Sequence, residues 1–154
     1  MSDPARDAMS AAMAMLGRRA LSRAELEKRL VVDFGEGPTA FVLARLEELR
    51  LVDDRALAER VARHRFEVGR AGRYRVRAEL RRRGVPEEVL EDAIACSVPQ
   101  GGERAIARAE LERFLRSRER RREARERTAA AAFRHLVQRG FPAALVRDLL
   151  GVSL

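Results

Sequence analysis

Two stretches of this chain make the same turn. RRRGVPEEVLEDAI runs from Arg81 to Ile94, and VQRGFPAALVRDLL runs from Val137 to Leu150. Each reads Arg-Gly-apolar-Pro and then a helical pattern with an Asp near its end. Gly ends a helix because it tolerates a left-handed backbone, and Pro opens the next because its missing N–H is no loss at a first helical position. Leu80 aligns with Leu136, Arg83 with Arg139, Gly84 with Gly140, Pro86 with Pro142, Asp92 with Asp148 and Ile94 with Leu150, all 56 residues apart. A constant offset with matching apolar flanks marks two copies of one module.

A looser third copy precedes them. Ala24–Leu26 aligns with Ala78–Leu80, and Pro38, Phe41 and Leu46 with Pro86, Val89 and Ile94, after an insertion of six residues around VDFGEG. A three-helix unit of this size buries little alone and gains by packing on its neighbours. The expected fold is therefore all-α, an elongated array of three tandem three-helix repeats. Residues 1–10 are expected to be disordered. The repeats would span 11–52, 53–97 and 103–154, with VPQGG supplying a linker over 98–102.

Local signals agree. Ser22 and Glu25 form a capping box before Leu26 and Leu30. Asp53 is the expected N-cap of the helix after LRLV, with Asp54 adding acid to its first turn. Leu57, Val61, His64 and Val68 make an apolar stripe on that helix. Pro38 opens a helix whose apolar positions are Phe41, Val42, Leu46 and Leu49. A long charged helix is expected from Glu103 to about Arg127, with a kink near Thr128.

Composition excludes several classes. Hydrophobic residues make up 46% of the 154, which rules out wholesale disorder, while aromatics are only 5%, so Leu and Ala must do most of the packing. One cysteine, Cys96, cannot form an internal disulfide. No apolar run approaches a membrane span and the N-terminus lacks an apolar signal core, so a cytoplasmic protein with no membrane partner is expected. No Cys/His cluster has metal-site spacing, no glycine-rich loop can cradle phosphate, and His64 and His135 fall in different modules. Paired acids such as Asp53–Asp54 and Glu87–Glu88 sit at helix starts, where capping explains them. No catalytic, cofactor or metal site is expected, and the chain is read as a non-enzyme.

The charge points to an anionic partner. The formal net charge is +8, and of 32 basic residues only Lys28 is a lysine. Codon bias accounts for arginine over lysine but not for base over acid. The run Arg70–Arg83 holds seven arginines against one acid, Glu79. The expected contact face is Arg70, Arg73, Arg75, Arg77, Arg81 and Arg82. With Leu80 inward, Arg75 and Arg82 face outward, Arg81 lies to one side, and Arg77 lies nearer the core edge, where its stem can pack. A second candidate is Arg116, Arg120, Arg121 and Arg122, within a stretch whose Glu/Arg mixture also suits a solvated helix. RAELRRRGVPEEVLEDAI is a poor sequence-reading helix-turn-helix, because its second helix carries Glu87, Glu88, Glu91 and Asp92. Non-specific phosphate contact by the first helix remains open.

Three segments together resemble the RecX family of bacterial recombination regulators. LSRAELEKRL is similar to the family's Ser-Arg-x-Glu-Leu-x-x-x-Leu opening. LRLVDDRALAERVARHR is similar to its Gly-Leu-Leu-Asp-Asp segment and following helix. GRYRVRAELRRRGVPEEVLEDAI is similar to its Gly-x-x-x-Ile-x-x-Glu-Leu-x-x-x-Gly-Ile segment. The match covers about Leu21 to Ala95, and the C-terminal repeat extends it. Arg50 departs from the usual Gly, Leu57 from an aromatic, and Val76 and Val85 from Ile. The resemblance implies three tandem three-helix repeats and a monomer that binds the RecA filament on single-stranded DNA. It implies seating along the filament's helical groove, contact with neighbouring protomers, and inhibition of filament extension, ATP hydrolysis, strand exchange and SOS repressor cleavage. The other class the residues allow is a basic helical protein that binds nucleic acid non-specifically without RecA.

Overall fold

A computed structural model describes residues 3–119 and 125–151. Among them are nine α-helices and no strand, in the order α1 (Pro4–Leu16), α2 (Arg23–Phe34), α3 (Glu36–Glu48), α4 (Asp54–Glu67), α5 (Arg73–Arg82), α6 (Glu87–Ser97), α7 (Gly102–Glu119), α8 (Arg125–Gln138) and α9 (Ala143–Leu150). The all-helical class expected from sequence is observed. The chain forms two compact units. One takes the described residues to Ala58 together with Leu80–Leu90; the other takes Glu59–Glu79 and the described residues from Glu91 onward.

In the first unit α1, α2 and α3 close on a core of Ala8, Ala12, Leu21, Leu26, Leu30, Val42, Leu43, Leu46 and Val52. Helix α1 begins at Pro4, so the expectation of a disordered segment to residue 10 is corrected. Asp3 accepts the Ala5 N–H at 3.1 Å with Pro4 in the first turn, a start signal present in the sequence as Asp-Pro. The capping box of α2 forms as read: Ser22 Oγ accepts the Glu25 N–H at 3.0 Å, and the Glu25 carboxylate accepts the Ser22 N–H at 2.9 Å. Helix α3 turns its Val42–Leu43–Leu46 face inward and leaves Phe41 65% exposed, contrary to the expected face. In the second unit α7, α8 and α9 bury Ala107, Leu111, Ala132, Leu136, Phe141 and Val146. Thr128, where a kink was expected, lies inside α8.

The buried face of α4 is Leu57, Ala58, Ala62 and Phe66 rather than Leu57, Val61, His64 and Val68. His64 is exposed and Val68 is 64% exposed. Alanines at i, i+4 spacing define this stripe, and small apolar residues are easily passed over beside valines.

The register between repeats also shifts. Residues 21–30 and 71–80 carry the same order of buried positions along the same helical stretch, so Leu26 corresponds to Val76 and Leu30 to Leu80. The alignment of Ala24–Leu26 with Ala78–Leu80 is one helical turn out. A slip of four residues keeps the same face inward, so apolar periodicity alone cannot detect it. The insertion before Pro38 shrinks accordingly from six residues to two.

The Arg-Gly turn does more than connect helices. In the first unit Arg83 donates to the Ala20 carbonyl at 2.8 Å and to Glu25 at 3.0 Å, and the Ser22 hydroxyl donates to the Arg83 carbonyl. Gly84 lies at φ +74° so close to Ala24 that an added Cβ would meet its Cβ at 2.5 Å. In the second unit Arg139 donates to the carbonyls of Gly69 and Arg70, the Gly72 N–H donates to the Arg139 carbonyl at 2.8 Å, and the Tyr74 N–H donates to the Gly140 carbonyl at 3.0 Å. Here the two backbones touch. A Cβ on Gly140 would stand 2.4 Å from the Arg75 nitrogen, and one on Gly72 would stand 2.3 Å from the Gly140 carbonyl. The C-terminal end of α5 thus docks on the start of α2, and that of α8 on the start of α5.

Two variants test this. Gly140→Ala should destabilise the protein by about 3 kcal/mol or more, since it combines a strained φ with a backbone clash, whereas Gly37→Ala, with open space around it, should change stability by less than about 1 kcal/mol in urea unfolding. Arg50 sits at φ +55°, in the left-handed region that favours glycine. Arg50→Gly should therefore raise stability by about 1 kcal/mol, read as a higher urea midpoint at unchanged slope.

Candidate functional site

Of the six arginines first singled out from sequence, all but Arg70 lie on α5, and its first turn shows how they are divided. The first amides of a helix have no partner inside it. The Arg73 N–H is taken by Glu103 at 2.7 Å and the Tyr74 N–H by the Gly140 carbonyl. In α2 the first N–H, of Arg23, is likewise taken by Asp54 at 2.9 Å. Each of these acids stands at the beginning of the helix that opens the next trio. Asp54 therefore caps α2, while its neighbour Asp53 accepts the Ala56 N–H at 2.9 Å and caps α4 as expected.

The same acids and their neighbours absorb much of the positive charge. Glu103, almost fully buried, holds the Arg73 guanidinium as well as its amide. Arg77 makes a two-pronged pair with Glu91, one contact at 2.9 Å, and lies over the Tyr74 ring at 5.5 Å. Arg81 pairs with Glu87 through two contacts, one at 2.9 Å. Arg83 is held by Glu25 and the Ala20 carbonyl. Guanidinium forks suit such bidentate contacts in a way an ammonium does not.

Arg70, Arg75 and Arg82 are exposed and make no ion pair among the described residues. Arg70 and Arg75 belong to the second unit. Arg82 belongs to the first, where it lines a shallow concavity of about 630 Å³ with Lys28 and Arg29, both exposed and without an ion pair among the described residues. Sequence reasoning passed over Lys28 and Arg29. It also passed over Tyr74, the only tyrosine of the chain, within the Arg70–Arg83 run and 53% exposed. Of the second candidate group, Arg116 is exposed in the last turn of α7, while Arg120, Arg121 and Arg122 lie outside the described residues.

Two carboxylates have shifted titration. Burial pushes Glu25 upward, but hydrogen bonds from Arg83, the Ser22 amide and Arg19 outweigh it and hold the group below its ordinary 4.5. Burial raises Asp54 above its ordinary 3.8, reinforced by Asp53 and Glu25 and opposed by the Arg23 amide and charge. A lowered carboxylate contributes stability that is present above its unfolded value and lost as pH falls through the folded one; a raised carboxylate acts oppositely. Glu25→Gln should flatten the loss of stability below about pH 4.5, whereas Asp54→Asn should steepen it, as read from urea midpoints between about pH 3 and 6.

His135 contacts the deeply buried Glu110 at 2.9 Å and stacks on Phe114 with centroids 4.6 Å apart. Arg139 reaches the same carboxylate at 3.4 Å. Glu110 thereby ties α7 to α8 and to the arginine that docks α8, so this cluster has a structural explanation. Among the described residues no group of three or more His, Cys, Asp or Glu is placed to hold a metal ion. No described helix is long and apolar enough to cross a membrane.

Comparison with known proteins gives a consistent result. Residues 53–94 match a family model described as RecX, second three-helix domain. The chain is 37% identical to regulatory protein RecX of Thermus thermophilus over 148 residues, covering 96% of this chain and 88% of that one. It is 33% identical to regulatory protein RecX of Prosthecochloris aestuarii over 146 residues, covering 94% and 92%. The crystal structure of RecX from Lactobacillus salivarius superposes with a TM-score of 0.84 at 18% identity, covering 98% of this chain and 97% of that one, a likeness of fold.

Proposed function

The chain belongs to the RecX family, and we propose on that premise that it is a cytoplasmic, monomeric, non-enzymatic negative regulator of RecA. It binds the RecA filament on single-stranded DNA along the helical groove. Bound there, it restrains filament extension, ATP hydrolysis, strand exchange and cleavage of the SOS repressor. What carries the reading is the match to regulatory RecX proteins over nearly the whole of both chains. The exposed arginines without ion pairs among the described residues, Arg70, Arg75 and Arg82, support an anionic or nucleic-acid-containing partner.

The pairing of Arg73, Arg77 and Arg81 with carboxylates narrows the contact face within the six arginines first singled out. Positions already tied to Glu103, Glu91 and Glu87 contribute less free charge. The second group, Arg116 with Arg120, Arg121 and Arg122, stands as the reserve candidate.

Titrated against RecA on single-stranded DNA, the protein should slow ATP hydrolysis at substoichiometric or comparable amounts. Unchanged hydrolysis over that range would sink the reading. Arg75→Ala with Arg82→Ala should weaken the inhibition while helicity is retained, and full inhibition by that double variant would shift the contact face to the reserve candidate. The other class, nucleic-acid binding without RecA, predicts binding to bare DNA with a steep salt slope and no further effect of RecA.

A further inference from the structure

The exposed side chains around Tyr74 form a small constellation within the second unit that the proposed regulation does not by itself explain. Tyr74 is the second residue of α5, and its backbone is fixed from below, its N–H bound to the Gly140 carbonyl at 3.0 Å. Its side chain faces out, with the residue 53% exposed. The Arg77 guanidinium lies over the ring 5.5 Å from the centroid, and Arg77 is itself clamped by Glu91. The ring is thus held on one side by an anchored cation, and much of its remaining surface is open. Flanking it in sequence are Arg70 and Arg75, both exposed and without an ion pair among the described residues.

About half of Tyr74 stands open to solvent, on a face whose neighbouring arginines at 70 and 75 have no ion pair among the described residues. An open aromatic face with unpaired arginines at nearby positions of the same segment suits an unpaired nucleobase that stacks on the ring while its phosphates meet the arginines. A duplex offers its phosphates but hides the faces of its bases, so the match is to a single strand. An acidic peptide would use the arginines but has no general need of the ring.

We infer that Tyr74 is a stacking platform for a nucleobase of single-stranded nucleic acid, with Arg70 and Arg75 as its phosphate contacts. Arg77 is a positioning residue, since it holds the ring from the covered side. The inference rests on the reading that a single strand is part of the partner, and adds that the chain touches that strand directly.

The composition supplies the probe. With one tyrosine and no tryptophan, the intrinsic fluorescence of the chain reports Tyr74 alone. Oligothymidylate added to the whole protein should quench that emission saturably, after correction with free N-acetyltyrosinamide for absorption by the strand. An abasic strand of equal length should bind more weakly and quench little. In anisotropy titrations with labelled oligothymidylate, Tyr74→Leu should weaken binding by about 5- to 100-fold, while Tyr74→Phe should stay within about 2-fold of the parent. Arg70→Ala with Arg75→Ala should reduce the slope of log affinity against log salt by about 1.4.

Circular dichroism separates misfolding from lost contact, and Tyr74→Phe keeps the ring in any case. Equal quenching by the abasic strand, or undiminished binding by Tyr74→Leu, would overturn the inference. If RecA ATP hydrolysis is inhibited while no strand quenches Tyr74, the stacking platform is wrong and the regulatory reading stands. If quenching occurs without any effect on RecA, the reverse holds.

Discussion

Everything in the arrangement of α2 and α5 follows from the unsatisfied amides at their starts. A helix buried at its N-terminus must find acceptors for groups that its own turns cannot reach. Both helices find one in a later acid, Asp54 for Arg23 and Glu103 for Arg73. For both, the start of the helix then receives the Arg-Gly end of a later helix, where the arginine reaches carbonyls and carboxylates that the backbone cannot. That approach needs glycine, because the space where a Cβ would sit is occupied by Ala24 in one case and by the backbone of Arg75 in the other. The repeated turn is thus the visible trace of a repeated docking contact.

The same geometry divides the charge. Of the arginines between Arg70 and Arg83, those at 73, 77, 81 and 83 are tied to Glu103, Glu91, Glu87 and Glu25. Those at 70, 75 and 82 are left to solvent or to a partner. A linear count makes this segment look overwhelmingly basic because the acids that answer it lie elsewhere in the sequence. The +8 of the whole chain is real, but which guanidinium groups carry it outward is a property of the fold. Exposed pairs such as Arg81 with Glu87 add little stability, while the more enclosed Arg83–Glu25 contact has a stronger structural role.

Signals confined to one turn of chain were legible beforehand. The capping box of Ser22 and Glu25, the cap at Asp53, and the left-handed glycines at 84 and 140 all depend on neighbours within a few residues. Leu26, Leu30, Leu80 and Leu136 were placed inward correctly and are fully buried. Faces were harder: Phe41 and Val68 look like core by size, yet both are exposed, and Ala58 and Ala62 are fully buried on α4 between Leu57 and Phe66. The register between α2 and α5 was misread by one turn because helical periodicity is blind to such a slip. The start of α1 was readable in Asp3-Pro4 and was overlooked. The candidate surface was legible only as a list of arginines. Its division into paired and unpaired groups depends on contacts such as Arg73 with Glu103, which no local pattern encodes.

Because the groups that complete α2 come from farther along the chain, the order of synthesis matters. Ser22 is 61 residues ahead of the carbonyl that receives its hydroxyl. On the ribosome α2 therefore emerges with the Ser22 hydroxyl and the cleft beside Ala24 still without their later partner, and both wait until Arg83 and Gly84 have left the exit tunnel. The next docking site, at Gly72, waits in turn for Gly140. Each helix start is thus covered by a stretch made after it, and a chain cut short before a glycine turn leaves the cleft at the preceding helix start uncovered.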